Sequence, residues 1–310
     1  MARKWSAIVH SGAGNIAKGL ESAHRAGCLR ALELAVEILN SGGSAMEAVL
    51  AAVHDLEDNP LFNAGVGAVL DARGVVTHDA CICRASDLGY GAAAAFCGVR
   101  HPIDLARAVL EDRRHCLIVG PSALAFAREQ GLSLVDPEFF VTSEARTIFE
   151  ARRMREAEEG SVDPREDWAP SFDRGNTVGA VVRDDEGEIC AATSTGGLLM
   201  KIPGRVGDSP IAGHGTYAHA GLGGLSATGH GETLMRTVFA LSGLQAMRGA
   251  IDPARALREA LDDATARVGG KVGAIGILPN GIPVHARNTR GMGVAFQVAG
   301  GAPQSAFDGP

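Results

Sequence analysis

Basic residues are in deficit. The chain has 29 Lys and Arg against 36 Asp and Glu, a formal net charge of −7. That balance argues against a nucleic-acid partner, which calls for a basic patch. No run of 18 apolar residues occurs, and Met1-Ala2-Arg3-Lys4-Trp5 is followed by no apolar signal core. Neither a membrane span nor a secretory leader is therefore expected, and the cytoplasm is the expected compartment. The six cysteines, Cys28, Cys81, Cys83, Cys97, Cys116 and Cys190, form no C-x-x-C pair and match no zinc spacing. They read as small buried hydrophobes, with Cys81 and Cys83 alternating along a strand. Gly12 to Gly19 lacks the G-K-[ST] ending of a phosphate loop. Aromatics make up only 5%, so the core must be packed from alanine and aliphatic side chains.

Glycine is abundant, at 41 of 310 residues without a collagen-like period, which implies many turns and close backbone approaches. Residues 6–10 read as a strand, and 21–40 as a helix with Cys28, Leu32, Ala35, Val36 and Leu39 on one face. Ser44 followed by Glu47 is a capping-box pattern opening a second helix towards Leu56. Strands are predicted near 68–71, 75–83, 89–99 and 116–119, and helices over 102–112, 121–130 and 143–158. Residues 152–174 are crowded with charge, Pro and Gly, and 150–176 reads as a mobile linker. An apolar strand then begins at Thr177, followed by a strand over 188–195, helices over 232–247 and 253–268, and strands over 272–278, 282–286 and 293–298. Runs of strands and runs of helices without strict alternation favour an α+β layered sandwich over a doubly wound sheet.

Thr177 stands where solvated linker meets buried strand. Threonine is a good strand starter in any case. If the Asn176–Thr177 bond breaks, however, Thr177 gains a free α-amine, whose pKa of about 7.7–8.0 lets it act as base for its own hydroxyl near neutral pH.

Six segments occur in one order: His10-Ser11-Gly12-Ala13-Gly14; Asn59 to Gly67; Asn176 to Val181; Ala192 to Gly197; Lys201 to Pro210; and Thr228-Gly229-His230-Gly231-Glu232. Together they resemble the plant-type asparaginases and isoaspartyl peptidases, which are N-terminal-nucleophile hydrolases. The resemblance runs from about residue 6 to residue 298. It implies a four-layer αββα sandwich, one structural domain cut into 1–176 and 177–310, and a homodimer of cleaved αβ units, that is, a heterotetramer. It also implies hydrolysis of small β-aspartyl amides, L-asparagine or isoaspartyl dipeptides, with no cofactor for the chemistry.

By the same resemblance Thr177 is the nucleophile, Thr195 orients its hydroxyl, and Thr228 with the Gly229 amide supplies oxyanion donors. Asn63 supports the nucleophile's surroundings. Arg205 and Asp208 clamp the substrate's α-carboxylate and α-ammonium, a pairing that guanidinium and carboxylate geometry suits, and Gly231 adds a backbone contact. The backbone carbonyls of Leu56, Glu57, Asn59, Phe62, Ala64 and Val66 correspond to a sodium-binding loop. The chain departs from the family pattern at Ser11, at Asn176 before the nucleophile and at His230 beside the site. His214, His219 and His230 show no helical i, i+4 ligand spacing and read as solvent-facing or supporting residues. A taspase-like endopeptidase and a non-cleaving binding protein are the alternative readings.

Overall fold

The computed structural model of the chain describes residues 3–160 and 177–307. Strand β1 (Ser6–Gly14) is buried throughout and pairs antiparallel with β5 (Val178–Arg183) on one side and β11 (Gly291–Val298) on the other. β5 returns as β6 (Ile189–Thr195), which pairs with β2 (His78–Arg84). β3 (Gly89–Phe96) and the short β4 (Leu117–Val119) complete one edge and β12 (Gln304–Ala306) the other, giving an eight-stranded sheet. A four-stranded sheet of β7 (Thr216–His219), β8 (Gly223–Gly229), β9 (Val272–Ile277) and β10 (Pro283–Arg287) stacks on it.

Period-two burial divides the core into layers. Ala7, Val9, Ala180 and Val182 point outward from the large sheet into a cluster with helices α1 (Glu21–Asn40), α2 (Ala45–Asp58) and α3 (Pro102–Asp112). Their neighbours Ile8 and Val181 point inward, where Cys81, Cys83, Ile275 and Ile277 fill the space between the sheets. The outer face of the small sheet packs Leu225, Ala227 and Ala274 against α7 (Phe239–Met247) and α8 (Pro253–Val268). The order is therefore helix, sheet, sheet, helix, the four-layer αββα sandwich that the resemblance implied. Small residues let the sheets approach closely: a Cβ at Gly179 would sit 2.1 Å from Ser226 Oγ on the facing sheet.

The capping box at α2 forms as predicted. Ser44 Oγ accepts the Glu47 N–H at 3.3 Å, and the Glu47 carboxylate accepts the Ser44 N–H at 2.8 Å. The helices predicted over 21–40, 102–112 and 253–268 have those bounds. Four features differ. The 232–247 helix is two, α6 (Gly231–Arg236) and α7, because Val238 adopts φ 49° and the His214 and Gly213 carbonyls take the first free N–H groups of α7. β7 and β8 lie in the glycine-rich stretch that gave no strand signal. Residues 68–71 form only an isolated bridge between Leu70 and Val76. Helix α5 (Ser143–Glu159) includes the first ten residues assigned to the linker, and 161–176, with Asn176, lie outside the described residues. Cys28, Cys81, Cys83 and Cys190 are buried as expected, but Cys116 is exposed. Among the described residues no helix is long and apolar enough to cross a membrane.

Candidate active site

The antiparallel register pairs Val178 with Ser194, so Thr177 falls beside Thr195 at the open end of the β5–β6 hairpin. The Thr177 hydroxyl donates to Thr195 Oγ1 at 3.1 Å, and Thr177 is buried to 5% exposure. Thr195 Oγ1 also accepts the Gly197 N–H at 2.9 Å. Asn63 braces that turn from the other side: its Nδ2 donates to the Gly197 carbonyl at 2.8 Å, its Oδ1 accepts the Val69 N–H at 3.0 Å, and its carbonyl accepts the Gly196 N–H at 3.0 Å.

Thr228 comes from the small sheet, near the end of β8. Its Oγ1 accepts the Ala13 N–H at 3.0 Å and the Thr177 N–H at 3.4 Å. Both contacts are accepted ones, which leaves the hydroxyl proton to donate. An irregularity in β1 between His10 and Ala13 shifts the register and carries the Ala13 N–H to this hydroxyl. Gly229 follows at φ 118°, where a Cβ would stand 2.5 Å from the Lys271 carbonyl. Only glycine suits that position.

A narrow cleft opens over Thr177, lined among others by Thr195, Arg205, Asp208, Gly229 and Gly231. Arg205 is only 13% exposed on its side chain; its Nε and Nη2 donate to the Glu232 carboxylate at 3.1 Å each. Nη1 lies against Gly197 and Gly207, two glycines of the cleft wall. Asp208 is 5% exposed, and its Oδ2 has no hydrogen-bond partner among the described residues. Burial pushes its carboxyl up to about 7, against the pull of Arg205. A cation seated there would satisfy the orphan oxygen and favour the charged form. The cleft thus presents an alcohol, a guanidinium edge and a carboxyl with one oxygen unpartnered among the described residues, a set that matches a zwitterionic amino-acid head.

Of the residues singled out in the sequence, Thr177, Thr195, Arg205, Asp208, Gly229 and Gly231 line one cleft, while Thr228 and Asn63 are buried behind it, bonded to Thr177 and Gly197 of its wall. Behind them runs a hydroxyl chain the sequence analysis missed. His10 Nε2 meets Ser226 Oγ at 2.9 Å, Ser226 meets Thr193 Oγ1 at 2.7 Å, and Thr216 donates to Thr193 at 2.6 Å. Burial lowers His10 to about 3, opposed by a hydrogen bond to the Thr177 backbone, so the ring is neutral and anchors the main chain of Thr177. Polar residues at inward positions of strands were the signal, unreadable before the strands' facing was known. Glu232 was also missed as Arg205's partner, although it closes the sixth motif. His230 is buried with Nδ1 on Thr233 Oγ1 at 2.8 Å. His214 Nδ1 lies 3.2 Å from the Ala212 carbonyl, and neither His214 nor His219 lines the cleft.

The loop matching a sodium site closes on itself. The Val66 N–H donates to the Glu57 carbonyl at 2.8 Å and the Phe62 N–H to that of Asn59 at 3.1 Å. Carbonyl oxygens are hard donors, and each of these two keeps a second lone pair. The donor set suits a hard cation such as sodium.

A four-layer sandwich with a threonine heading a central strand over a cleft is the architecture of N-terminal-nucleophile hydrolases. Within that class, residues 3–306 match the profile of the family described as Asparaginase, and the chain belongs to this family. It is 41% identical over 268 residues to an isoaspartyl peptidase/L-asparaginase of Xenopus laevis, covering 86% of this chain and 84% of that protein. It is 38% identical to an isoaspartyl peptidase of Salmonella typhimurium, covering 95% and 96%. Identity to a plant-type L-asparaginase of Pyrococcus furiosus is 40%, covering 94% and 96%.

Proposed function

We propose that the chain is a precursor that severs its own Asn176–Thr177 bond and then hydrolyses β-aspartyl amides, L-asparagine and isoaspartyl dipeptides. The observation that carries this reading is the Thr177 hydroxyl, 3.1 Å from Thr195 Oγ1, in a cleft that also holds Arg205 and the unpartnered oxygen of Asp208. Once the α-amine is free, it takes the hydroxyl proton and Oγ1 attacks the β-carbonyl. Thr228 and the Gly229 amide receive the developing oxyanion, and removal of one such donor costs about 10²–10³ in kcat. The amine departs, and water cleaves the β-aspartyl ester to release aspartate. Arg205 takes the α-carboxylate and Asp208 the α-ammonium, so only the leaving group distinguishes the substrates.

The pieces 1–176 and 177–310 remain one structural domain, because β1 and β2 of the first flank β5 and β6 of the second within one sheet. A sodium ion would be held by the carbonyls of the 56–66 loop and would fix the backbone leading to Asn63. The mature form is a cytoplasmic homodimer of cleaved units.

N-terminal sequencing of the purified protein, with an ammonia assay on L-asparagine, tests the reading. Two chains, one starting at Thr177, and loss of both cleavage and turnover in Thr177→Ala are expected. An active, unbroken polypeptide would refute it.

A further inference from the structure

A second group of ligand-capable side chains stands on the helical layer, and none of them lines the Thr177 cleft. His54 lies in the last turn of α2, His101 is the residue capping the start of α3, and Asp104 lies in the first turn of α3. One ligand atom from each falls within 4.8 Å of the others. His54 Nε2 is 2.7 Å from Asp104 Oδ1, and His101 Nδ1 is 3.8 Å from Asp104 Oδ2. Ligands bound at about 2.0–2.1 Å in a tetrahedral shell stand about 3.4 Å apart, so a small contraction of this group, whose ligand atoms lie within 4.8 Å of one another, gives the bound geometry. We infer that His54, His101 and Asp104 bind one divalent transition-metal ion of the zinc type.

Three further observations support the assignment. The helices carrying the ligands are locked together by a buried contact, in which Glu57 Oε1 accepts the Ile103 N–H at 3.0 Å. His101 Nε2 lies 3.1 Å from Asp58 Oδ1. A proton donated there leaves the Nδ1 lone pair for the ion, the carboxylate–histidine–metal relay common at such sites. The side chains of His54, His101 and Asp104 are 33%, 21% and 31% exposed, enough for an ion to enter with a water as fourth ligand. Arg100, a cation next to His101 in sequence, is paired with Asp58 and lies over the Phe139 ring. The imidazoles are stacked at 4.3 Å and 28°, so one must turn for both lone pairs to converge, a motion that exposed side chains allow. Two imidazoles and one carboxylate select zinc, cobalt or nickel over magnesium or calcium, which favour all-oxygen shells.

The test is calorimetric titration of EDTA-stripped, tag-free protein with Zn²⁺, paralleled by Co²⁺ absorption spectra. One Zn²⁺ per chain is expected, with Kd about micromolar or tighter, and with the visible bands of a low-coordinate Co²⁺ site. His54→Ala and His101→Ala should each weaken binding by about a hundredfold or more, and Asp58→Asn by about 10- to 100-fold, the range for partners behind a ligand. His115→Ala, an exposed histidine elsewhere, should bind as the parent does. Asp104→Asn, which preserves shape, provides the same reading should an alanine variant fail to fold by circular dichroism. No binding at about 0.1 mM Zn²⁺, or binding that survives loss of these ligands, would leave the cluster as ion pairs between helices and overturn the assignment.

Discussion

Asn63 and Gly197 are joined at 2.8 Å through the Asn63 Nδ2 and the Gly197 carbonyl, while the N–H of the same glycine reaches Thr195 Oγ1. Asn63 is only 3% exposed. The alcohol that accepts the hydrogen bond of the Thr177 hydroxyl is therefore positioned from a loop in the first half of the chain. Position 63 reaches Thr177 through three hydrogen bonds, by way of Gly197 and Thr195, and does not touch the Thr177 hydroxyl itself.

Asn63→Ala leaves the Gly197 carbonyl and the Val69 N–H without their partner. Buried groups so orphaned cost about 1–3 kcal/mol each. Denaturant unfolding should show a loss of at least that size. In a folded sample, turnover of L-asparagine should fall by about tenfold or more while KM changes little, because the Arg205–Asp208 clamp is untouched. An unchanged kcat would remove Asn63 from the supporting role.

Asp208 titrates at about 7 in the folded chain against 3.8 when unperturbed. Between those values the folded state binds more protons than the unfolded one, so this group makes the unfolding free energy fall as pH rises from about 4 to 7. Asp208→Asn lacks that slope. It should therefore be more stable than the parent at pH 8, by on the order of 1 to a few kcal/mol, with the gap closing towards pH 4. In the parent, kcat/KM should rise as pH passes about 7, since the ionised form is the one that binds an ammonium, and the variant should lose that substrate-binding limb. Melts from pH 4 to 8 and a pH–rate profile check both halves.

Gly231→Ala places a Cβ 2.6 Å from Arg205 Nη2 and 2.9 Å from Asp208 Oδ1. The methyl group occupies the space between the two arms of the clamp. KM for L-asparagine should rise about tenfold or more, while cleavage before Thr177, which requires no bound amino acid, should proceed. A variant with parental KM would show that the clamp can spread at little cost.

Glu232→Gln keeps the shape but removes the charge that steadies Arg205. Hydrogen bonds to charged groups contribute about 1.5–3 kcal/mol. Part of that should appear as a KM increase of about tenfold, with kcat less affected. Steady-state kinetics on L-asparagine, with autocleavage followed on a denaturing gel, separates the two effects.

Several elements could be read from the residues because their causes are local. The capping residues Ser44 and Glu47 and the proline at the first position of α3 act within one turn. The apolar face of α1 is periodic enough to mark its full length. Strand β8 could not be read so: Gly223-Gly224-Leu225-Ser226-Ala227-Thr228-Gly229 has too few apolar side chains to alternate, and it becomes a strand because β7 and β9 pair with it. The break at Val238 has a similar origin, since the carbonyls that hold α7's first turn belong to Gly213 and His214.

The residue types of the cleft and their order along the chain were fixed by the sequence, since threonine, arginine and aspartate carry their chemistry wherever they lie. The tertiary structure decided which of them meet. It set Thr228 against Thr177 across two sheets, gave Arg205 to Glu232, left one oxygen of Asp208 without a partner among the described residues and put His54 beside His101. These pairings depend on strand order and helix packing, which arise from burial summed over the whole chain, and no stretch of sequence holds that sum.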